Sequence, residues 1–168
     1  MNLLSDIEII DLGLYSKKHS LLAIGDLHIG YEEALNKQGI FVPRFAFKEM
    51  MERMEKMLQT CIAKNSSKNK KENKNKPNKE TKNTQKLNVV LINGDLKHEF
   101  GTISETEWRH TVRFLKLLQQ YTDRIILIKG NHDTVLAPIA KTKGLEVLDH
   151  YILDDILFVH GDSIPNIV

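Results

Sequence analysis

Three runs of four apolar residues, Leu21-Leu22-Ala23-Ile24, Val89-Val90-Leu91-Ile92 and Ile125-Ile126-Leu127-Ile128, constrain the fold of this 168-residue chain more than any other feature. A strand that is apolar at every position leaves no face for water. It belongs inside a sheet covered on both sides, the usual setting of parallel strands in α/β domains. Each run gives way within a few residues to a glycine and a polar donor: Gly25-Asp26-Leu27-His28, Gly94-Asp95-Leu96-Lys97-His98 and Gly130-Asn131-His132-Asp133. A fourth apolar run, Ile156-Leu157-Phe158-Val159, delivers His160-Gly161-Asp162. Open α/β folds build their sites at the carboxyl ends of strands. Asp, Asn and His are hard to borderline donors for divalent metals, so the four islands read as one metal site laid out along the chain.

The segments between these islands supply the other elements. Residues Ile7 to Leu14 read as a strand joined to Leu21–Ile24 by a polar turn around Ser16-Lys17-Lys18-His19-Ser20. Residues 30 to 43 read as a loop. Phe47, Met50, Met51, Met54, Met57, Leu58, Cys61 and Ile62 recur at steps of three and four, which predicts an amphipathic helix with Pro43 in its first turn. Its methionines read as core filling. Ser104 and Glu107 form a capping-box pattern ahead of Trp108, Val112, Leu115 and Leu118, a second amphipathic helix. A brief helix is expected near Val135–Lys143, closed by Gly144, and short strands at Leu145–Leu148, Tyr151–Leu153 and Ile156–Val159. The order β-α-β-α-β followed by consecutive strands predicts a layered α/β sandwich with a mixed sheet.

Charge narrows the partners. Between Lys64 and Lys86 nine lysines face only Glu72 and Glu80, a local charge of +7 within a chain of net +2, so the remainder carries −5. Bulk charge therefore says nothing about a nucleic-acid partner, for or against. The segment has no large apolar residue, so a disordered insertion is expected over 64–86; a basic arm gripping nucleic-acid phosphate is the alternative. Cys61 is the only cysteine, which excludes an internal disulfide and a cysteine-built zinc site. No apolar stretch approaches a membrane span, and a cytoplasmic protein with no membrane partner is expected.

Taken in order, Asp26 and His28, Gly94-Asp95, Gly130-Asn131-His132-Asp133 and His160 resemble the calcineurin-like metallophosphoesterases, from about Leu21 to Asp162. Within that superfamily, Gly25 to Glu32, Gly39-Ile40-Phe41-Val42-Pro43 and Trp108-Arg109 are most similar to small archaeal phosphoesterases of the group that includes the DNA-ligase-associated type. The string Gly94 to His98 is also similar to the phosphodiesterase motif of nucleases in the superfamily.

The resemblance implies a layered αββα sandwich with mixed sheets and two divalent ions. It implies Asp26 and His28 on the first ion, Asn131 and His160 on the second, and Asp95 bridging them. Such a pair lowers the pKa of a bound water and stabilises phosphoryl charge. His132, with His98 as a second candidate, would serve proton transfer; Asp133 would orient His132 or cap the next helix and is not counted a ligand. Arg109 would face phosphate or pair with a carboxylate, Trp108 would pack in the core, and His19, His110 and His150 carry no functional expectation.

The implied activity is metal-dependent phosphoester hydrolysis, most directly of phosphodiesters in nucleic acid or nucleotides, with Mn²⁺ the first choice of metal and Fe²⁺, Ni²⁺ or Zn²⁺ compatible. The family's late Gly-His-x-His motif does not follow Asp162. A single domain over 1–168 that is incomplete at its carboxyl end, lacking the last strands, is therefore expected. The alternative function is a catalytically incomplete fragment or subunit that binds metal weakly, with self-association through unfinished sheet edges.

Overall fold

The computed structural model describes residues 2–4, 6–72, 86–135, 139, 141 and 144–163. Seven strands form one sheet in chain order: β1 (Asn2–Leu4), β2 (Ile7–Ile10), β3 (Gly13–Ser16), β4 (Leu21–Ile24), β5 (Val89–Asn93), β6 (Ile125–Ile128) and β7 (Leu145–Leu148). The first four pair antiparallel as a meander, and β4 to β7 pair parallel. A separate two-stranded sheet holds β8 (Tyr151–Leu153) and β9 (Ile156–Phe158). This is the expected α/β architecture with mixed sheets.

The apolar runs behave as their composition requires. Leu22, Ile24, Val90, Ile92, Ile125 and Leu127 point into one core, while Leu21, Ala23, Val89, Leu91, Ile126 and Ile128 point into a second core on the opposite face. The first is covered by α2 (Ala46–Glu72) and α3 (Glu105–Tyr121). Both helices lie in crossovers between neighbouring parallel strands that advance in one direction across the sheet. Right-handed crossovers then put both on the same face. The second core is closed by Leu148 and by Tyr151, Leu153 and Phe158 of the β8–β9 hairpin. Full burial of one such Leu or Ile side chain is worth about 2 kcal/mol.

Local departures from expectation have local causes. The run Ile7–Leu14 is two strands, because the chain reverses at Asp11-Leu12 with Asp11 at φ 54°. Residues 30–43 are not wholly loop: α1 (Tyr31–Lys37) rises from Gly30, whose φ of 101° turns the backbone into the helix. The second helix starts at Ala46, so Pro43 lies ahead of its first turn. The Glu32 carboxylate of α1 caps it, accepting from the amides of Ala46 (2.9 Å) and Phe47 (3.4 Å). At its other end α2 runs to Glu72, well past Lys64. Asn65, expected in a disordered insertion, is buried and accepts from the Tyr15 hydroxyl at 2.5 Å. The rest of the lysine-rich stretch, 73–85, and most of the helix expected near 135–143 lie outside the described residues. In α3 the capping box is present as predicted, with Ser104 accepting from the Glu107 amide. Trp108 is half-buried against the first core. No helix among the described residues is long and apolar enough to cross a membrane.

Candidate metal centre

The segments leaving β4 and β5 remain zipped together beyond the strands. Asp26 N donates to Gly94 O (3.3 Å), His28 N to Asp95 O (2.9 Å), Ile29 N to Leu96 O (3.0 Å) and His98 N to Ile29 O (3.1 Å). To pair this way while turning side chains toward one another, Asp26, His28 and Asp95 adopt left-handed φ values of 51°, 42° and 50°. Backbone strain of this kind in non-glycine residues gathers at functional sites. Here it falls on three of the five expected ligands.

Asp95 occupies the middle. Its Oδ2 is 3.6 Å from His28 Nε2 and 3.5 Å from His160 Nε2, and its Oδ1 accepts the His132 amide at 3.0 Å. His160 Nε2 also lies 3.1 Å from Asn131 Oδ1. Candidate ligand atoms of Asp26, Asp95 and His160 lie within 4.8 Å of one another, as do those of His28, His98 and His132. All seven residues expected to bind metal or move protons therefore converge. Arg109 does not: it is exposed on the outer side of α3, beside Trp108, Val112, Arg113 and Lys116.

Two glycines make the convergence possible. A Cβ on Gly94 would stand 2.1 Å from His160 Nδ1, and one on Gly130 would stand 2.3 Å from Asp95 Oδ1. The fourth island is held by Asn93, whose side-chain Nδ2 donates to Val159 O at 2.9 Å while its backbone carbonyl oxygen meets His160 Nδ1 at 3.1 Å. The hairpin turn is tied to the meander by Lys18 and His19, 2.6 and 3.0 Å from Asp154.

Beneath the ligands lies a layer of buried charge. The Asp133 carboxylate, fully buried, accepts from the amides of Leu96 (3.2 Å), Lys97 (3.4 Å) and Gly130 (3.1 Å). It neither orients the His132 ring nor begins a described helix; it staples the β5 loop to the β6 loop. Burial raises its pKa, the three amides pull it down, and the Asp95 charge raises it further. Lys97, also fully buried, donates to the carbonyls of His132 (2.6 Å) and Glu99. Glu107 goes beyond its capping role: Oε1 accepts from the amides of His98 (2.8 Å) and Glu99 (2.9 Å). Asn93, Lys97 and Glu107 are the site residues missed in the sequence. Lys97 carries a signal by sitting inside one of the islands, Glu107 carries only that of its capping box, and Asn93 carries none.

The histidines have distinct environments. His132 Nδ1 meets His98 O at 2.5 Å, which leaves its Nε2 toward the cluster, and the ring packs against His28 and Phe100. Burial, then the His28 and His132 rings, hold the His98 pKa below the ordinary histidine value. Nδ1 of His28 and Nδ1 of His98 are buried with no hydrogen-bond partner. Asp26, Asp95 and His160 in one group and His28, His98 and His132 in the other, with Asn131 against His160, make a mixed oxygen and imidazole donor set that suits divalent first-row ions. The residues present fit such a metal.

Comparison with known proteins agrees with that chemistry. No curated protein sequence matches the chain. Among solved structures the chain is similar in fold to the Pseudomonas putida nuclease MPE, at 16% identity and a TM-score of 0.52 over 86% of this chain and 56% of that one. It thus spans little more than half the length of that nuclease. The family model for calcineurin-like phosphoesterases matches residues 19–168. The match runs from the turn before β4 through all four candidate islands, and the chain belongs to the calcineurin-like phosphoesterase family, hydrolases that use divalent metal ions.

Proposed function

We propose that this domain hydrolyses phosphoesters with two divalent ions held by its four islands, and that its substrates are phosphodiesters of nucleic acid or nucleotides. The observation that carries the reading is the Asp95 carboxylate, set 3.6 Å from His28 Nε2 on one side and 3.5 Å from His160 Nε2 on the other. A carboxylate between two sets of donors is what a pair of ions roughly 3.5–4 Å apart requires as a bridge. Asp26 and His28 would hold one ion and Asn131 and His160 the other. Ions so held would supply an activated water at neutral pH and positive charge for the phosphoryl oxygens. Mn²⁺ is the metal of first choice for this mixed donor set.

The chain's own groups do the rest. His132 is positioned for proton transfer to the leaving oxygen: with Nδ1–H donating to the His98 carbonyl, a protonated ring keeps that bond and offers Nε2–H to the cluster. His98 is the second candidate for that role. Asp133, Lys97 and Glu107 hold the loop backbones, so the donors are fixed before substrate arrives. The nuclease named for the similar structure favours a diester substrate, as does the likeness of Gly94–His98 to a nuclease motif.

The purified chain should hydrolyse bis(p-nitrophenyl) phosphate in the presence of Mn²⁺ and lose about 10³-fold or more in rate with Asp95→Ala, a change that removes the bridge. Full activity in that variant would sink the proposal.

A further inference from the structure

A cavity of about 560 Å³ opens directly beside the candidate metal centre, between the β4 loop and helices α1 and α2. It falls inside the range of roughly 300–1,000 Å³ typical of small-molecule sites. Asp26 and His28 form one end of it, so it is continuous with the place where a phosphate would sit. Away from that end the wall turns apolar: Met50, Met54 and Met57 line it from α2, with Phe47 and Leu12. Met54 and Met57 are otherwise buried, and Met50 is half-buried. The methionine stripe read in the sequence as core filling therefore has two sides. All four methionines pack in or against the first core, and Met50, Met54 and Met57 also line the cavity, whereas Met51 does not.

The lining favours a particular occupant. Phe47 and His110 are stacked, ring centroids 3.9 Å apart and planes within 3°, and both belong to the wall. Thioether sulfurs and aromatic faces contact a flat ring favourably and without directional demands. Most charged groups around the cavity are already engaged: Glu32 caps α2, Glu33 accepts from Ser104 and pairs with Lys37, and Arg53 pairs with Asp11. Arg44 lines the cavity with no ion-pair partner among the described residues. A slot walled by methionine and aromatic side chains, lined also by Arg44 and Glu49 and open at one end to a phosphoester centre, matches an aryl phosphoester better than a simple sugar or alkyl phosphate.

We propose that this cavity is the subsite for the organic group esterified to the phosphate, and that the group it takes is an aromatic ring, either a nucleobase or another aryl substituent. This rests on the phosphoesterase reading above and adds to it a substrate class. For a nucleic-acid substrate it requires an unstacked base, hence a single strand, an end or a mononucleotide. A base held inside an intact duplex would not reach Met54.

The test uses the full chain with methyl-¹³C methionine, loaded with diamagnetic Zn²⁺, and two non-hydrolysable probes, phenylphosphonate and methylphosphonate. Phenylphosphonate should bind about tenfold or more tightly than methylphosphonate and should shift the Met50, Met54 and Met57 methyl resonances saturably, with Met51 unmoved. Met50→Trp, which fills the cavity, should bring the two probes within about twofold of each other. The wild-type titration decides the matter alone if that variant does not fold. Binding of both probes with equal affinity, or binding of phenylphosphonate with the three methyls unmoved, would overturn the subsite and leave the phosphoesterase reading standing. Binding of neither probe to the Zn²⁺-loaded chain would overturn both.

Discussion

Two buried polar networks hold this molecule together, and they are built on opposite plans. At the meander end, the Tyr15 hydroxyl donates to Cys61 O (3.2 Å) and Asn65 Oδ1 (2.5 Å), and the Asn65 amide donates to Ser20 Oγ (2.5 Å). Every side chain there is neutral, and the network fastens α2 to β3 and to the turn before β4. Under the ligands, Asp133, Lys97 and Glu107 are charged, fully buried, and spend their hydrogen bonds on loop backbone. Neutral groups are cheap to bury once paired, whereas buried charges are costly unless every partner is in place. The first network therefore serves stability, while the second uses part of the stability to fix backbone that carries donors. Changes in the first should alter unfolding and leave metal affinity alone; changes in the second should alter both.

The largest effect is expected at Asp133. Replacing it with alanine orphans the amides of Leu96, Lys97 and Gly130 in a buried setting. A loss of about 3 kcal/mol in urea unfolding follows, with a drop of about tenfold to a hundredfold in calorimetric metal affinity. Unchanged metal affinity in a folded Asp133→Ala protein would remove the distinction between the networks. Gly94→Ala should come next. Its φ of 83° and the 2.1 Å approach to His160 Nδ1 mean that the added methyl displaces the histidine. Metal affinity should fall about tenfold while stability falls by about 1–2 kcal/mol. Two ions bound as tightly as in the wild type would show that His160 is not a ligand.

The same contrast explains what could be read in the sequence. Each island follows an apolar strand and carries its candidate donors in neighbouring residues, so the sequence groups Asp26, His28, Asp95, Asn131 and His160 as a set, and the fold brings that set together. The box at Ser104 marks the start of α3 for the same reason, since its signal spans only four residues, Ser104 to Glu107. The stapling roles of Asp133 and Lys97, and the role of Glu107 beyond its capping box, leave no side-chain pattern in the sequence, because their partners are backbone atoms of other loops. Asn65 was assigned to a disordered stretch by its lysine-rich neighbours. Its burial depends on Tyr15, fifty residues away. Arg109 is expected to face phosphate or pair with a carboxylate, but it lies exposed on α3 beside Arg113 and Lys116.

Asn65→Ala is the matching change in the neutral network. It strands the Tyr15 hydroxyl on one acceptor and should cost about 1–2 kcal/mol in unfolding, with metal affinity unchanged. A coupled fall in metal affinity would mean that α2 and the ligand loops open as one unit.

The smallest signal is the most informative about that coupling. Cys61 is fully buried beside Tyr15, and burial pushes its thiol up to about 12. At pH 8 only about one thiol in 10⁴ would be ionised in place, against roughly a quarter of an exposed cysteine. A disulfide reagent should therefore label the native chain negligibly, except through openings that expose the thiol at its ordinary pKa. The two routes differ in slope over the alkaline range. Labelling through openings levels off above about pH 9, where the exposed thiol is already ionised, while labelling in place continues to rise tenfold per unit toward pH 12. Asn65→Ala should raise a levelling rate about tenfold, the equivalent of about 1.4 kcal/mol of easier opening. Adding Zn²⁺ should leave that rate unchanged if α2 opens alone, and should slow it if the opening also dismantles the ligand loops. Slowing by Zn²⁺ would merge the two networks into one cooperative unit; its absence would show that the neutral network can loosen while the charged one still holds the site.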